Sequence, residues 1–365
     1  VTRIDAGVLL AMLGAGDDVA VIDVRSPAEF EEWAVPGARN LPVETLPAHL
    51  GELPDDVEIV LVCSRGARAE EAQSLLAAHG IVSSVLAGGM VAWGRTYDEV
   101  ALVAGDVTIV QVRRRGKGCL SYVVGAGERC VVIDPSADIE RYLAVARARG
   151  WRISYVADTH LHADHVSGAR LLAEAADATL VLSDRDAYAF DVGGRPAGDL
   201  LELSASRQLR VELVSTPGHT TGSIMLVLDE LALFTGDTLF IESVGRPDLA
   251  DRAAEFADEL YHSLHEKVLA HPDQILVLPA HFGVGVEVVA DELVGARLGD
   301  LRAELAPLAL TEEDFVSWAS RSVPDRPPNY VEIVRANQGL ISLSSEEIAE
   351  LELGPNRCAV SVPAD

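Results

Sequence analysis

The sequence has few cysteines and no close pair of them. Cys63, Cys119, Cys130 and Cys358 are far apart, with no C-x-x-C spacing. That pattern excludes a disulfide framework and fits free thiols in a reducing compartment. Long apolar runs are missing as well: 49% of the residues are hydrophobic, yet no uninterrupted stretch nears the roughly 18 to 20 needed to span a bilayer. The expectation is a soluble globular protein. The opening stretch "VTRIDAGVLLAMLGAGDD" carries acids where a secretory leader carries basic residues, and it lacks a small-residue cleavage site, so a cytoplasmic location is expected. Positive charge is scarce. Against 57 acidic residues stand 29 basic ones, a net charge of -28, which repels a phosphate backbone or an anionic membrane over most of the surface. The one basic cluster, "RRRGKG" at 113–118, is short, has no interleaved aromatics and lies between strand-like runs, so neither nucleic acid nor membrane is an expected partner.

What is present divides into two α/β domains. Residues 1–98 alternate apolar strands ("VAVIDV", "VEIVLVC", "VSSVLA") with helical stretches such as "RAEEAQSLLAAHG", the signature of a small parallel sheet covered by helices. Residues 99–106 read as a linker. Residues 107–295 form a second domain, with adjacent strands around 107–134, a helix at about 138–149, and strand-loop units up to about 281. A helix over 252–270 carries Phe256, Leu260, Leu264 and Val268 as one apolar stripe. His262, His265 and His271 have no motif spacing and read as surface or cap residues. Cys119 and Cys130 lie in adjoining strands, where packing is the expected role. Residues 296–365, amphipathic helical segments broken by "VPDRPPNY", read as a helical extension packed on the second domain.

In "VEIVLVCSRGARAEEAQSLLAAHG" a strand ends at Cys63 and a helix begins about four residues later. Loop amides and a helix N-terminus therefore point at the sulfur, with Arg65 and Arg68 adding positive charge, conditions that favour a nucleophilic thiolate. The segments "VIDVRSPAEFEEWAVPGARNLP" (21–42), the loop Cys63 to Arg68, and "LAGGMVAWG" (86–94) resemble the rhodanese family. The resemblance implies that Cys63 carries sulfane sulfur as a persulfide. The loop has four residues between cysteine and arginine where related phosphatases have five, and the smaller ring suits sulfur.

The densest set of ligand-type side chains is "THLHADHVSG" (159–168), directly after the apolar run "ISYVA". His160 and His162, two apart in extended chain, project from the same face. Asp164 and His165 follow. His219 lies beyond "LRVELVSTPG", Asp237 beyond "LALFTG", and His281 beyond "QILVLPA". Each stands just past an apolar strand, where rigid scaffolds place chemistry, and imidazole with carboxylate at this density points to a metal.

The order H-x-H-x-D-H, histidine, aspartate, histidine resembles the metallo-β-lactamase superfamily, an αββα sandwich. Two branches fit: thioester hydrolases of the glyoxalase II type, with two metals bridged by the aspartate, and persulfide dioxygenases, with one non-haem iron. Resemblance to the dioxygenases implies one Fe(II) per chain on His160, His219 and Asp237, a facial triad with open positions. His162, Asp164, His165 and His281 then orient those ligands, or hold a second metal in the hydrolase reading, where Zn2+ replaces iron. "TGDTLFIESVGRPDL" (235–249) and "LYHSLHEKV" (260–268) resemble the dioxygenase branch, which implies that Arg246 and Tyr261 hold the thiol-bearing part of the substrate. One departure is visible: several dioxygenases carry Asp-Tyr after the last histidine, and here Phe282 and Gly283 follow His281.

The expected activity is oxidation of glutathione persulfide, or a related small persulfide, by O2 to sulfite and thiol. A rhodanese step at Cys63 would exchange sulfane sulfur with thiosulfate or sulfite. The alternatives are a dinuclear zinc thioester hydrolase and a persulfide carrier or sensor. Family resemblance adds a possible homodimer.

Overall fold

A computed structural model describes residues 2–193, 198–204, 209–248, 252–283, 286–321, 323, 326 and 329–360. The chain divides into two compact units.

The first unit comprises residues up to Asp98 together with Arg114–Lys117 and Glu352–Pro355. Its sheet has five parallel strands in the order Arg3–Ile4, Ser84–Leu86, Glu58–Val62, Val19–Asp23, Arg39–Asn40. Alternation along the central strand feeds a core on each face, as a parallel sheet covered on both sides requires. Ile59, Leu61 and Cys63 join one core, Val60 and Val62 the other.

Two segments depart from expectation. The basic cluster is largely interior: Arg114 pairs with Glu352 at 2.6 Å with both side chains buried, and Lys117 Nζ donates to the carbonyls of Glu352 and Gly354 at 3.1 and 3.2 Å. Residues 352–355 of the expected extension thus belong with the first unit, because they satisfy charges that 114–117 would otherwise bury alone.

The second unit is an αββα sandwich. One six-stranded sheet runs Thr179–Val181, Arg152–Ala157, Arg129–Ile133, Cys119–Ala126, Val107–Arg114, Asp98–Ala104. The segment read as a linker is its edge strand, with Val100 turned inward among more exposed neighbours. The other sheet runs Leu200–Ser204, Leu209–Ser215, Ile224–Leu228, Ala232–Gly236, Leu276–Pro279, Ala296–Arg297. Between them Leu120, Tyr122, Val124 and Ile133 meet Leu213, Leu226, Phe234 and Leu278 in one core.

Outside the second sheet Phe256, Leu260, Leu264 and Val268 are all buried, as the apolar stripe demands. Only Ala253–His262 is α-helical, however, and Ser263–Val268 is a π-helical turn. Residues four apart drift by about 40° per step around a helix of about 3.6 residues per turn. The wider turn brings Leu264 and Val268 back over the core. No helix among the described residues is long and apolar enough to cross a membrane.

Candidate functional site

Each unit carries a candidate site at strand ends. In the first, Cys63 follows the strand Glu58–Val62 and precedes the helix Ala67–Ala78. Its buried Sγ accepts the amides of Gly66 at 3.1 Å and Ala69 at 3.4 Å, the cradle that the loop spacing implies. The "GG" of "LAGGMVAWG" has a steric cause. Gly89 has φ 58°, and a Cβ there would lie 2.0 Å from the Cys63 carbonyl oxygen, which accepts the Met90 amide at 2.9 Å.

Arg65 is exposed. Arg68 makes a two-pronged bond to Glu29, at 2.7 and 2.8 Å, and donates to Ser64 Oγ at 2.9 Å. Glu29 reaches it from a capping box begun by Ser26. The Arg68 guanidinium holds the Glu29 carboxyl well below the usual carboxylate range. The charge of Arg68 is thus shared between Glu29, which it bonds, and Cys63, which it reaches through space, while the Gly66 and Ala69 amides bond the sulfur directly. Glu29 is a partner of the Cys63 loop that the sequence reading missed.

In the second unit the loop after Arg152–Ala157 is anchored by Asp134, which accepts the Thr159 amide at 2.7 Å and the Thr159 hydroxyl at 2.9 Å. That hydroxyl spends its proton on Asp134, so its oxygen accepts Nδ1–H of His160 at 3.0 Å. His219 donates Nδ1–H to the Arg246 carbonyl at 2.9 Å. Both rings therefore present an Nε2 lone pair, and both point at the same atom. His160 Nε2 lies 3.5 Å and His219 Nε2 3.4 Å from Asp237 Oδ2. All three atoms are buried and have no hydrogen-bond partner. Three orphaned acceptors facing one another are unfavourable unless a cation lies among them. Burial, then the neighbouring His162, pushes His160 well below the usual histidine range, and burial pushes His219 down. Asp237 stays below the usual carboxylate range against its burial, through His281 and His160. Two neutral imidazoles and a carboxylate are a metal donor set. Gly236 makes room for this approach: with φ 54°, a Cβ there would lie 2.6 Å from Thr159 Oγ1.

The remaining candidates are brought close as well, and Asp164, His165 and His281 form with Cys119 a second buried group able to hold a metal ion. His162 turns its Nε2 to Asp134 Oδ1 at 3.1 Å, and its ring lies between those of His160 and His165, at 4.2 and 4.3 Å. His281 bridges two carboxylates, Asp237 Oδ1 at 2.7 Å and Asp164 Oδ2 at 2.9 Å. His165 Nδ1 bonds Asp164 Oδ1 at 3.0 Å. Burial opposes charge on His281 and His165, but the adjoining carboxylates outweigh it and hold both well above the usual histidine range.

Two thiols join this region that no motif marked. Cys119 Sγ donates to Asp164 Oδ2 at 3.4 Å, so it does more than pack, and Cys358 comes within ligand distance of Asp237 and His281. Cys130 does pack, and burial pushes its thiol up to about 12.

Arg246 and Tyr261, expected at the substrate, are both engaged by partners within the protein. Arg246 is 1% exposed, with its guanidinium on both Asp248 oxygens, at 2.7 and 3.0 Å, and on the Arg357 carbonyl. It acts on the site through its own carbonyl, which fixes His219. Tyr261 stacks on His265 at 3.9 Å and packs beside Phe315. Its ring is committed to the helical layer, and His265 is part-buried there instead of lying at the surface. Phe282 is packed in the sandwich core. The space beside the donor set is a cavity of about 180 Å³ lined by His219, Leu161, Thr220, Phe256, Tyr330 and Val334 among others.

Residues 5–96 match the rhodanese-like domain family and residues 114–281 the metallo-beta-lactamase superfamily. The Bos taurus protein named persulfide dioxygenase ETHE1, mitochondrial, is 33% identical over 183 residues, 48% of this chain and 70% of the bovine one. A hydroxyacylglutathione hydrolase of Polaromonas sp. is 33% identical over 173 residues, 44% of this chain and 61% of the hydrolase. The crystal structure of ETHE1 from Myxococcus xanthus superposes with a TM-score of 0.55 at 26% identity, covering 67% of this chain and 99% of that one. The chain belongs to the metallo-β-lactamase superfamily as a rhodanese fusion, and its second domain is a homologue of the persulfide dioxygenases.

Proposed function

We propose that the second domain oxidises a low-molecular-weight persulfide, glutathione persulfide or a relative of it, with one ferrous ion on His160, His219 and Asp237. The first domain, in this reading, moves sulfane sulfur through Cys63. The observation that supports it most is the division of polar atoms at the strand ends. Three ligand atoms that face one another have no partner, while Asp164 is bonded by His165 Nδ1 and by the Cys119 thiol.

Ferrous iron in such a donor set supplies the activation of dioxygen. The residues of the chain do the rest. Thr159 and the Arg246 carbonyl keep both imidazoles in the ligand tautomer, and His281 holds Asp237 so that one oxygen stays available. Leu161, Phe256, Tyr330 and Val334 give the cavity beside His219 a wall suited to the uncharged part of a thiol carrier. The net reaction consumes persulfide, O2 and water and yields thiol, sulfite and protons; the sulfane sulfur is oxidised as dioxygen is reduced. At the other site the Cys63 sulfur attacks the sulfane sulfur of thiosulfate or of a thiol persulfide. Sulfite or thiol leaves, and the loop amides hold the new persulfide until an acceptor thiol takes its outer sulfur. A cytoplasmic location and a homodimer complete the proposal.

The hydrolase relatives favour a second reading, a dinuclear zinc thioester hydrolase. A second metal there must first break the bonds that tie Asp164 to His165 and Cys119. Metal analysis of anaerobically purified protein, paired with oxygen uptake on adding glutathione persulfide, separates the two. About one iron per chain with oxygen uptake and sulfite release is the expected result. Two zinc ions and no uptake would overturn it.

A further inference from the structure

The sequence treats the C-terminal segment only as an extension, yet the helix Tyr330–Asn337 reaches the candidate metal site in two ways. Tyr330, Val334 and Asn337 are spaced four and three apart and so share one helix face. Tyr330 and Val334 wall the cavity against His219. Asn337 grips the loop that carries the histidine cluster. Its Nδ2 donates to the carbonyl of His162 at 2.9 Å and of His165 at 2.8 Å, and its Oδ1 accepts the Ser167 amide at 2.9 Å.

This loop is irregular, and its polar backbone needs partners that a strand would otherwise supply. Asp134 holds its start through Thr159, and Asp186 accepts the Leu161 amide at 3.1 Å. From His162 to Ser167 one carboxamide makes three bonds, two through its NH2 group and one through its oxygen. Both His162 and His165 carry buried rings that contact in series, tilted by 44° and 58°, up to His160. A shift of their backbone therefore moves the rings against which the His160 imidazole is set.

We propose that Asn337 is a positioning residue for the metal site: it fixes the 162–167 backbone so that His160 meets His219 and Asp237 in a preformed donor set. The inference rests on the metal-binding reading above. A residue that merely staples the extension to its domain would affect melting and leave metal affinity alone.

The test uses the full chain stripped of metal and Co2+ as the probe, with affinity measured by chelator competition and coordination by the visible absorption of bound cobalt. Asn337→Asp is the first variant. It is isosteric and keeps an acceptor for Ser167, but it sets an oxygen against the His162 and His165 carbonyls. Asn337→Ala, which removes all three bonds without adding charge, is the second. Co2+ binding weaker by about 10- to 100-fold in both, with an altered cobalt spectrum, is the expected result. Wild-type affinity and spectrum in either folded variant, with lower melting alone, would overturn the positioning role and leave the proposed function standing. A wild-type chain that binds no Co2+ would overturn the metal-binding reading and this inference with it.

Discussion

His281 and Asp237 are joined by a 2.7 Å hydrogen bond from Nδ1 to Oδ1, and that bond decides which carboxylate oxygen remains for a metal. Oδ2 is left facing His160 and His219. The other ring nitrogen of His281 lies 2.9 Å from Asp164 Oδ2, so one imidazole stands between two carboxylates. His281→Ala should lower metal affinity by about 10- to 100-fold, because Asp237 loses its orienting partner. Elemental analysis after dialysis against a weak chelator checks this. Thiosulfate-to-cyanide sulfur transfer should be unchanged in the same preparation; retention of a full metal equivalent would show that Asp237 is held by its own strand.

Cys63→Ser should abolish sulfur transfer and leave oxygen uptake with glutathione persulfide largely intact. The sulfur is the only reactive atom that the Gly66 and Ala69 amides address, and a serine hydroxyl cannot carry sulfane sulfur at neutral pH. Both activities are measured on one sample. Loss of oxygen uptake as well would mean that the metal site depends on persulfide delivered by Cys63.

Glu29 gives the first unit a pH-dependent contribution whose sign follows from its lowered pKa. Arg68 favours the charged carboxylate in the folded state, so this stability is fully present above the ordinary value of 4.5 and is lost as pH falls below it toward the folded value. The pair is about a third exposed, so its worth is at most about 1 kcal/mol. Glu29→Gln should therefore be slightly less stable than wild type at pH 7, with the difference shrinking in acid below pH 4.5. Denaturant unfolding at several pH values checks this, and a gap that widens in acid would reverse the assignment.

The donor set was legible in sequence because each member stands just past an apolar strand, and strand ends of one sandwich gather at one edge. The Cys63 cradle was legible for a similar reason: a strand, a short loop and a helix start leave the amides little choice. Pairing was not legible. Nothing local tells Arg68 that Glu29 waits in a capping box 39 residues away, or ties Asn337 to a loop 170 residues earlier. Cys119 and Cys358 were missed for the same reason, since their roles arise from neighbours that only the fold supplies. The edge strand Asp98–Ala104 was misread because alternation on a half-exposed strand resembles a linker at a domain boundary.

Arg246 tests the difference between motif and placement. A substrate-binding arginine presents its guanidinium to solvent-borne carboxylates, and replacing it raises KM with little effect on stability. Here the guanidinium is interior and held by Asp248, so Arg246→Met removes the main partner of a carboxylate that, among the described residues, keeps Arg326 alone. Breaking such a pair costs on the order of 3 kcal/mol. The carbonyl that receives His219 Nδ1–H lies in the same residue, so strain there passes to a metal ligand. The expected outcome is a lower melting temperature and weaker metal retention, with the KM of metal-loaded enzyme for glutathione persulfide changed little. A large KM increase in a variant of wild-type stability would instead return Arg246 to the substrate, and would require that its side chain leave Asp248 when the persulfide arrives.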